Sequence, residues 1–171
     1  GLIKEKIIFQ TEEDLSRKDF KGADQDEILL ELAYEKRLDL IKHYKTLGIE
    51  VNPLVMIQLP NDDQANKDTT TTSKQTIVIN YLKEKGVLEH EIAIWLSQEK
   101  VNLEYIEDNK SSISFLLFKQ AAATGWDCPR ASVLVMFREI KNPTFAIQTV
   151  GRILRMPFGT HFAIPELNLG Y

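Results

Sequence analysis

Four short apolar runs constrain the fold of this 171-residue chain most strongly. They lie at residues 53–60, 92–96, 113–118 and 133–137, and in none of them do apolar and polar residues alternate. An alternating strand has one face in water, whereas a continuous apolar strand is covered on both faces, as the strands of a parallel sheet are. Helical patterns are interleaved with these runs. The sequence therefore predicts an α/β domain, with a mainly parallel sheet and helices on both faces.

Two helices and one loop are predicted around the first run. Residues 26–47 carry apolar side chains at three- and four-residue spacing, which predicts a helix closed by Gly48 in a left-handed conformation. Residues 74–85 predict a second helix, which ends at Gly86. The polar stretch 61–73, with four consecutive threonines, predicts a surface loop.

The composition excludes several classes of protein. The one cysteine, Cys128, rules out a disulfide framework and a cysteine-built zinc site, fits a reducing interior, and is expected to be a small buried filler. The three histidines, His43, His90 and His161, are scattered, so no metal site or Ser-His-Asp triad is predicted. No apolar run is long enough to span a bilayer.

The charge distribution points to the last third of the chain. The net charge is −4, yet residues 111–171 carry six basic and three acidic side chains, and four of the six arginines lie there. An arginine guanidinium is a planar fork that binds phosphate through two hydrogen bonds. We therefore expect a site for a phosphate-bearing partner in this region, with a solvated basic surface as the alternative.

A first candidate motif occupies residues 121–129, directly after a predicted strand. Ligands of α/β sheets lie beyond the carboxyl ends of the strands, which is where this segment begins. Gly125 allows a backbone to approach a ligand closely, Thr124 offers a hydroxyl and amides to a phosphate, and Asp127 offers a carboxylate. A tight turn with a capping aspartate explains the same residues equally well.

A second candidate motif occupies residues 142–155, which are predicted to form a helix. Gln148, Arg152 and Arg155 follow each other at i, i+4 and i+7, so they share one face. No acidic residue occurs from position 140 to position 165. Two arginines without an acidic partner predict an anion ligand, and a triphosphate is the obvious candidate.

Both motifs resemble those of a known superfamily. Residues 123–127 and 148–155 are similar to motifs V and VI of superfamily 2 helicases and translocases. Within it, the Gly-Trp-Asp sequence at 125–127 and the Met-Pro at 156–157 most resemble the Res subunit of type III restriction enzymes. The resemblance implies a three-layer, RecA-like fold of the P-loop NTPase type.

The resemblance also implies how the chain is organised. Residues 26–171 would be the second, C-terminal of two RecA-like lobes, and residues 1–25 a lead-in from the first lobe. ATP and Mg²⁺ would lie between the lobes, held mainly by the first, and double-stranded DNA would lie across both. The chain has no GxxxxGK[ST] phosphate loop and no acidic helicase box, so we expect no ATP hydrolysis by the chain unaided.

Roles for single residues follow from the motif positions. Arg155 would be the arginine finger on the γ-phosphate, Arg152 its companion, and Gln148 the link to the DNA site. Asp127 would contact the ribose or stabilise the second motif, and with Gly125 and Gly151 it would belong to the nucleotide side. Candidates for the DNA backbone are Thr124, Lys119 and Arg130, of which the last two could equally be solvated surface residues.

The resemblance implies one further protein partner, and the sequence leaves two alternative functions open. A methyltransferase (Mod) subunit would supply DNA specificity in the bacterial cytoplasm, and the recognition sequence stays open. Asp127, Glu139 and Lys141 also match the spacing of a Mg-dependent nuclease core, a short pattern that is common by chance. The other alternative is a non-catalytic α/β interaction module.

Overall fold

The computed structural model describes residues 4–8, 25–60, 70–119, 127–137 and 155–171. In chain order the helices and strands of these residues are β1 (Lys6–Ile7), α1 (Gln25–Leu47), β2 (Leu54–Gln58), α2 (Thr70–Glu84), β3 (Ile92–Trp95), β4 (Lys100–Val101), β5 (Phe115–Phe118), β6 (Ala131–Met136) and β7 (Leu169–Gly170). Two short 3-10 helices, Glu89–Glu91 and Pro165–Asn168, precede β3 and β7.

Five strands form the central sheet, in the order β4-β3-β5-β2-β6. The pairs β2–β5, β2–β6 and β3–β5 are parallel, and the edge strand β4 runs antiparallel to β3. Strands β2, β3 and β5 lie inside the predicted apolar runs, and β6 begins two residues before its run. The predicted mainly parallel α/β sheet is therefore confirmed.

Alternate residues of β2 belong to two separate hydrophobic clusters. Val55 and Ile57 pack into the cluster that includes Leu40 of α1 and Leu82 of α2, whereas Leu54 and Met56 pack into a second cluster with Leu116 and Cys128. All five residues of β2 are buried. Both faces of β2 are thus covered, which is why apolar and polar residues do not alternate along it.

The two helices end as the sequence predicts, but the second begins earlier. Gly48 and Gly86 follow α1 and α2 with φ of +68° and +87°, the left-handed conformation that glycine adopts without strain. The predicted loop is wrong at its end, because residues 70–73 are helical. Threonine has a low intrinsic helix propensity, which is why the sequence favours a loop at these positions.

A second, two-stranded sheet lies beside β6. β1 and β7 pair in parallel, and β7 is joined to β6 through Tyr171, whose N–H donates to the Ser132 oxygen (3.0 Å) and whose oxygen accepts from the Leu134 N–H (2.8 Å). Residues 4–8, which the sequence places in a lead-in, thus form part of the folded domain. No helix among the described residues has the length and apolar character needed to cross a membrane.

Lys4, two residues before β1, attaches this two-stranded sheet to β6. Its side chain is 3% exposed, and Nζ donates to the Ala131 oxygen at the start of β6 (2.8 Å). Burial disfavours the charged ammonium and lowers the pKa of Lys4 to about 7 from its ordinary value of 10.5.

We predict that the stability of the chain rises with pH because of Lys4. Above pH 7 the folded chain releases the Lys4 proton while the unfolded chain keeps it, so the free energy of unfolding increases, by about 1 kcal/mol per pH unit. Urea unfolding between pH 7 and 8 measures this slope, because the Cys128 thiol of the unfolded chain, with an ordinary pKa of 9.0, is still largely protonated there. Lys4→Met should flatten the slope; an unchanged slope in that variant would contradict the assignment.

Candidate functional site

An ion pair joins the two motifs singled out by the sequence. Arg155 Nη1 lies 3.2 Å from Asp127 Oδ2, and the two side chains are 39% and 42% exposed. The pair is therefore accessible from solvent. Asp127 comes from the segment before β6, and Arg155 from the end of the second motif, so residues 28 positions apart in the sequence meet in one place.

Arg155 does not lie on a helix. It forms an isolated β-bridge, so the predicted helix cannot include its last residue. Met156 precedes Pro157, and a residue before proline avoids the helical conformation, which favours an end to any helix ahead of this point. Residues 142–154 lie outside the described residues.

The pair lies near the amino ends of the strands rather than at their carboxyl ends. Asn109 Nδ2 donates to the Pro157 oxygen (3.1 Å), and the Asn109 oxygen accepts from the Asn52 N–H (2.8 Å), two residues before β2 begins. The expectation of a site beyond the carboxyl ends is therefore wrong for Arg155 and Asp127. Because β5 and β6 are parallel, the chain must return from the carboxyl end of β5 to the amino end of β6. Asp127 lies at the end of that return.

Arg130 does not face solvent, and its predicted contact with the DNA backbone is wrong in this structure. Its side chain is 0% exposed. Nε donates to the Ile106 oxygen (2.8 Å), and Nη1 donates to the oxygens of Asn52 (2.8 Å) and Ile113 (2.6 Å). Burial lowers the pKa of Arg130. The residue is a structural donor to three segments of backbone.

Arg37 and Asn52 belong to the same buried network, and the sequence pattern did not single them out. Arg37 Nε donates to the Pro53 oxygen (3.1 Å), and its Nη2 donates to Ser114 Oγ (2.7 Å) and to Asn52 Oδ1. Burial lowers the pKa of Arg37 to about 10. An arginine within an amphipathic helix carries no local signal of such contacts, because its acceptors are distant in sequence.

Lys119 lies directly after β5, at the carboxyl ends of the strands and therefore opposite to the ion pair. Its backbone oxygen accepts from Gln58 Nε2 (3.2 Å), and Gln58 is fully buried at the end of β2. Within the described part of the chain, Gln58 Oε1 has no hydrogen-bond partner. Gln58 therefore holds the point at which the chain enters residues 120–126, a role that the sequence did not reveal.

Cys128 is buried, as expected of a small filler. Its Sγ lies 3.7 Å from the Ile106 oxygen, and burial raises the pKa of the thiol to about 11, which keeps it neutral. Across the residues that the structure describes, no group of three or more His, Cys, Asp and Glu side chains could hold a metal ion.

The remaining candidate residues lie outside the described ranges. They are Thr124, Gly125, Gln148, Gly151 and Arg152, together with Glu139 and Lys141 of the nuclease pattern. Of that pattern only Asp127 is described, and its carboxylate is paired with Arg155.

A family match gives this geometry its context. Residues 23–157 match the model of the helicase conserved C-terminal domain. The chain belongs to this helicase family. The matched range covers well over half of the chain and includes both Asp127 and Arg155. No curated protein and no solved structure matches the chain at a significant level.

The helicase conserved C-terminal domain is the C-terminal lobe of superfamily 1 and 2 helicases and has a RecA-like α/β fold. The five-stranded, mainly parallel sheet agrees with that fold. Domains of this family act on nucleic acids together with other domains, and the match is consistent with the use of ATP and Mg²⁺.

We predict that Arg130 contributes to stability. Arg130→Met removes the donor to the oxygens of Asn52 and Ile106, whereas the Ile113 oxygen keeps Asn52 Nδ2 as a donor. Since each carbonyl left unpaired costs about 1–3 kcal/mol, the free energy of unfolding should fall by roughly 2 kcal/mol or more. Urea denaturation measures the loss. Lys110→Met, which removes an exposed pair with Glu50, is the control and should change stability by less than about 1 kcal/mol. A loss for Arg130→Met no larger than that of the control would refute the structural role.

Proposed function

We propose that this chain is the C-terminal motor lobe of an ATP-dependent DNA helicase or translocase, and that Arg155 is its arginine finger. The observation that carries the proposal is the ion pair between Arg155 and Asp127, 3.2 Å apart and partly exposed on a helicase-family domain. In this proposal Arg155 reaches across a cleft to the γ-phosphate of ATP held by the first lobe, with Mg²⁺ beside it.

The chemistry of phosphoryl transfer suits such a residue. The reaction needs little covalent help, and most of its catalysis comes from positioning and from neutralising the charge that develops in the transition state. A guanidinium has five N–H donors, so a pair through Nη1 leaves Arg155 able to bind a phosphate as well. Asp127 would orient the guanidinium without removing its positive charge, because arginine stays protonated beside a carboxylate.

Other residues take the roles that the motif resemblance implies. Arg152 would assist Arg155 on the phosphate, and Gln148 would link the nucleotide to the DNA. Gly125 and Gly151 would allow close approach on the nucleotide side, whereas Thr124 and Lys119 would contact the DNA backbone. Lys119 lies at the carboxyl ends of the strands and Arg155 near their amino ends. The proposal therefore assigns DNA and nucleotide to opposite ends of the strands.

We further infer that the parent is the Res subunit of a type III restriction enzyme, acting in the bacterial cytoplasm with a methyltransferase (Mod) subunit. The Gly-Trp-Asp and Met-Pro sequences support this assignment. In the structure Met156 is 4% exposed and the Pro157 oxygen is hydrogen-bonded to Asn109. The Met-Pro pair thus anchors the chain directly after Arg155, which gives it a structural reason to accompany the arginine.

The arginine-finger role predicts a selective loss of turnover. In a protein that joins this chain to its first lobe, Arg155→Ala should lower the kcat of DNA-stimulated ATP hydrolysis by about 10³–10⁵-fold. The Kd for ATP should change far less, because the first lobe makes most ground-state contacts. Arg155→Lys should not restore turnover, since an ammonium lacks the planar fork.

Two controls accompany this measurement. Lys83→Ala removes an exposed cation from the last turn of α2 and should keep full activity, and the 171-residue chain by itself serves as the inactive blank. Retention of more than about a third of the wild-type kcat by Arg155→Ala, less than 1 kcal/mol of barrier, would reject the assignment.

The type III assignment predicts dependence on a second subunit. The two-lobe protein with its nuclease region should cleave DNA in the presence of ATP only when the methyltransferase subunit is added, because that subunit would supply site recognition. Omission of ATP or of the methyltransferase is the control. Translocation or unwinding that is unaffected by any methyltransferase subunit would keep the helicase function and reject the restriction enzyme.

A further inference from the structure

We propose that residues 106–113 form a bracket that holds Arg155 against Asp127, and that Asn109 is a positioning residue for Arg155. The bracket is the turn between β4 and β5 that runs along the amino ends of the strands. The proposal deepens the function proposed above and rests on it only for the effect on turnover; the placement of Arg155 can be tested without ATP.

The bracket is attached firmly to the sheet. The backbone N–H of Asn52, just before β2, donates to the Asn109 oxygen (2.8 Å). The Asn52 side chain donates through Nδ2 to the oxygens of Ser111 (2.9 Å) and Ile113 (3.2 Å). One residue just before the central strand β2 therefore fixes three points of the bracket.

The bracket is also stiffened from within. The Asp108 N–H donates to the Tyr105 oxygen (3.0 Å), and the Ser111 N–H donates to the Asp108 oxygen (3.0 Å). Asp108 Oδ1 accepts from the Lys110 N–H (2.9 Å). Ile106, at the start of the bracket, is 1% exposed and packs in the second hydrophobic cluster. The segment is thus a rigid support.

The first arm of the bracket holds the Asp127 segment. Arg130, three residues after Asp127, donates to the oxygens of Ile106 and Ile113, at the two ends of the bracket. Cys128, the residue after Asp127, is buried against the Ile106 oxygen. These contacts fix the backbone on which the Asp127 carboxylate is carried.

The second arm holds the Arg155 segment. Asn109 Nδ2 donates to the Pro157 oxygen (3.1 Å), two residues after Arg155, and Met156 between them is buried. In the described part of the chain, Asn109 Oδ1 and Arg155 Nε are both buried without a hydrogen-bond partner. Among the described residues, the Asn109 side chain is therefore tied to the Arg155 segment through its Nδ2 and not through its Oδ1.

The two arms make one segment responsible for the geometry of the ion pair. Without the Asn109 amide, residues 155–157 lose their side-chain bond to the bracket, and the Arg155 guanidinium can move relative to Asp127. A misplacement of about 1 Å at a catalytic group costs on the order of 10²-fold in rate. Asn109 would then control turnover without touching the nucleotide.

The Arg155 Nε–H signal in ¹H–¹⁵N spectra of the chain tests the placement directly. Arg155→Lys identifies the signal by its disappearance, and the heteronuclear NOE reports whether the side chain is ordered. We expect Asn109→Ala to reduce this NOE to that of a mobile side chain. If Asn109→Ala does not fold, Asn109→Ser serves instead, because its hydroxyl is too short to reach the Pro157 oxygen.

A matched control is available near the amino end of β3, at the same ends of the strands as the bracket. Asn102 donates through Nδ2 to the oxygens of Glu89 (3.4 Å) and Ile92 (2.9 Å) and has a φ of +57°. Asn102→Gly therefore removes an equivalent side chain without backbone strain, and it should leave the Arg155 signal unchanged. An equal loss of order in both variants, or in neither, would overturn the bracket.

Turnover separates this proposal from the arginine-finger role. In the two-lobe protein, Asn109→Ala should lower kcat by about tenfold or more while the KM for ATP changes by less than about twofold, and Asn102→Gly should match the wild type. If Arg155→Ala abolishes turnover but Asn109→Ala does not reduce it, the positioning role is wrong. If Asn109→Ala disorders Arg155 but Arg155→Ala retains turnover, the bracket stands and the arginine finger is rejected.

Discussion

The buried guanidinium of Arg130 is the interaction on which the rest of this domain depends. A charged group with 0% exposure is costly unless its N–H donors find acceptors. Nε and Nη1 of Arg130 find them on Asn52, Ile106 and Ile113, whereas Nη2 has no partner among the described residues. The three carbonyls belong to the residues just before β2 and to the two ends of the turn between β4 and β5. The central strand, that turn and the start of β6 are therefore joined through one side chain.

The parallel sheet explains where the ion pair forms. Every connection between parallel strands must bring the chain back from the carboxyl ends of the strands to their amino ends, so a motif that begins at the carboxyl ends finishes near the amino ends. The segment after β5 begins beside Gln58 and Lys119, at the carboxyl ends, and arrives at Asp127 near the amino ends. One motif can therefore serve two ligands at opposite ends of the strands, and this is the basis of the proposed separation of DNA from nucleotide.

The sequence predicted the elements better than the contacts between them. Apolar runs without alternation identified β2, β3, β5 and β6, because the covering of both faces leaves a direct pattern in the chain. Asp127 and Arg155 were recognised from their motifs, and the resemblance gave Asp127 either the ribose or the second motif as its contact, but the ion pair itself was not predicted. Arg130 was misassigned and Asn109 was missed, because a side chain that donates to the backbone of a distant segment leaves no periodicity. The burial of Lys4 was missed for the same reason, since its acceptor on Ala131 is distant in sequence.

The parallel pairing of β1 with β7 also determines how the domain responds to mechanical load. The chain enters β1 at one end of this two-stranded sheet and leaves β7 at the other, so tension applied before β1 and after β7 pulls the two strands along their length in opposite directions. Their hydrogen bonds are then loaded together, in shear, rather than opened one after another as in a peeled hairpin. The bonds of Tyr171 pass the same load to β6 and hence to the central sheet. A pull on either strand therefore acts on the central sheet through the backbone of Tyr171.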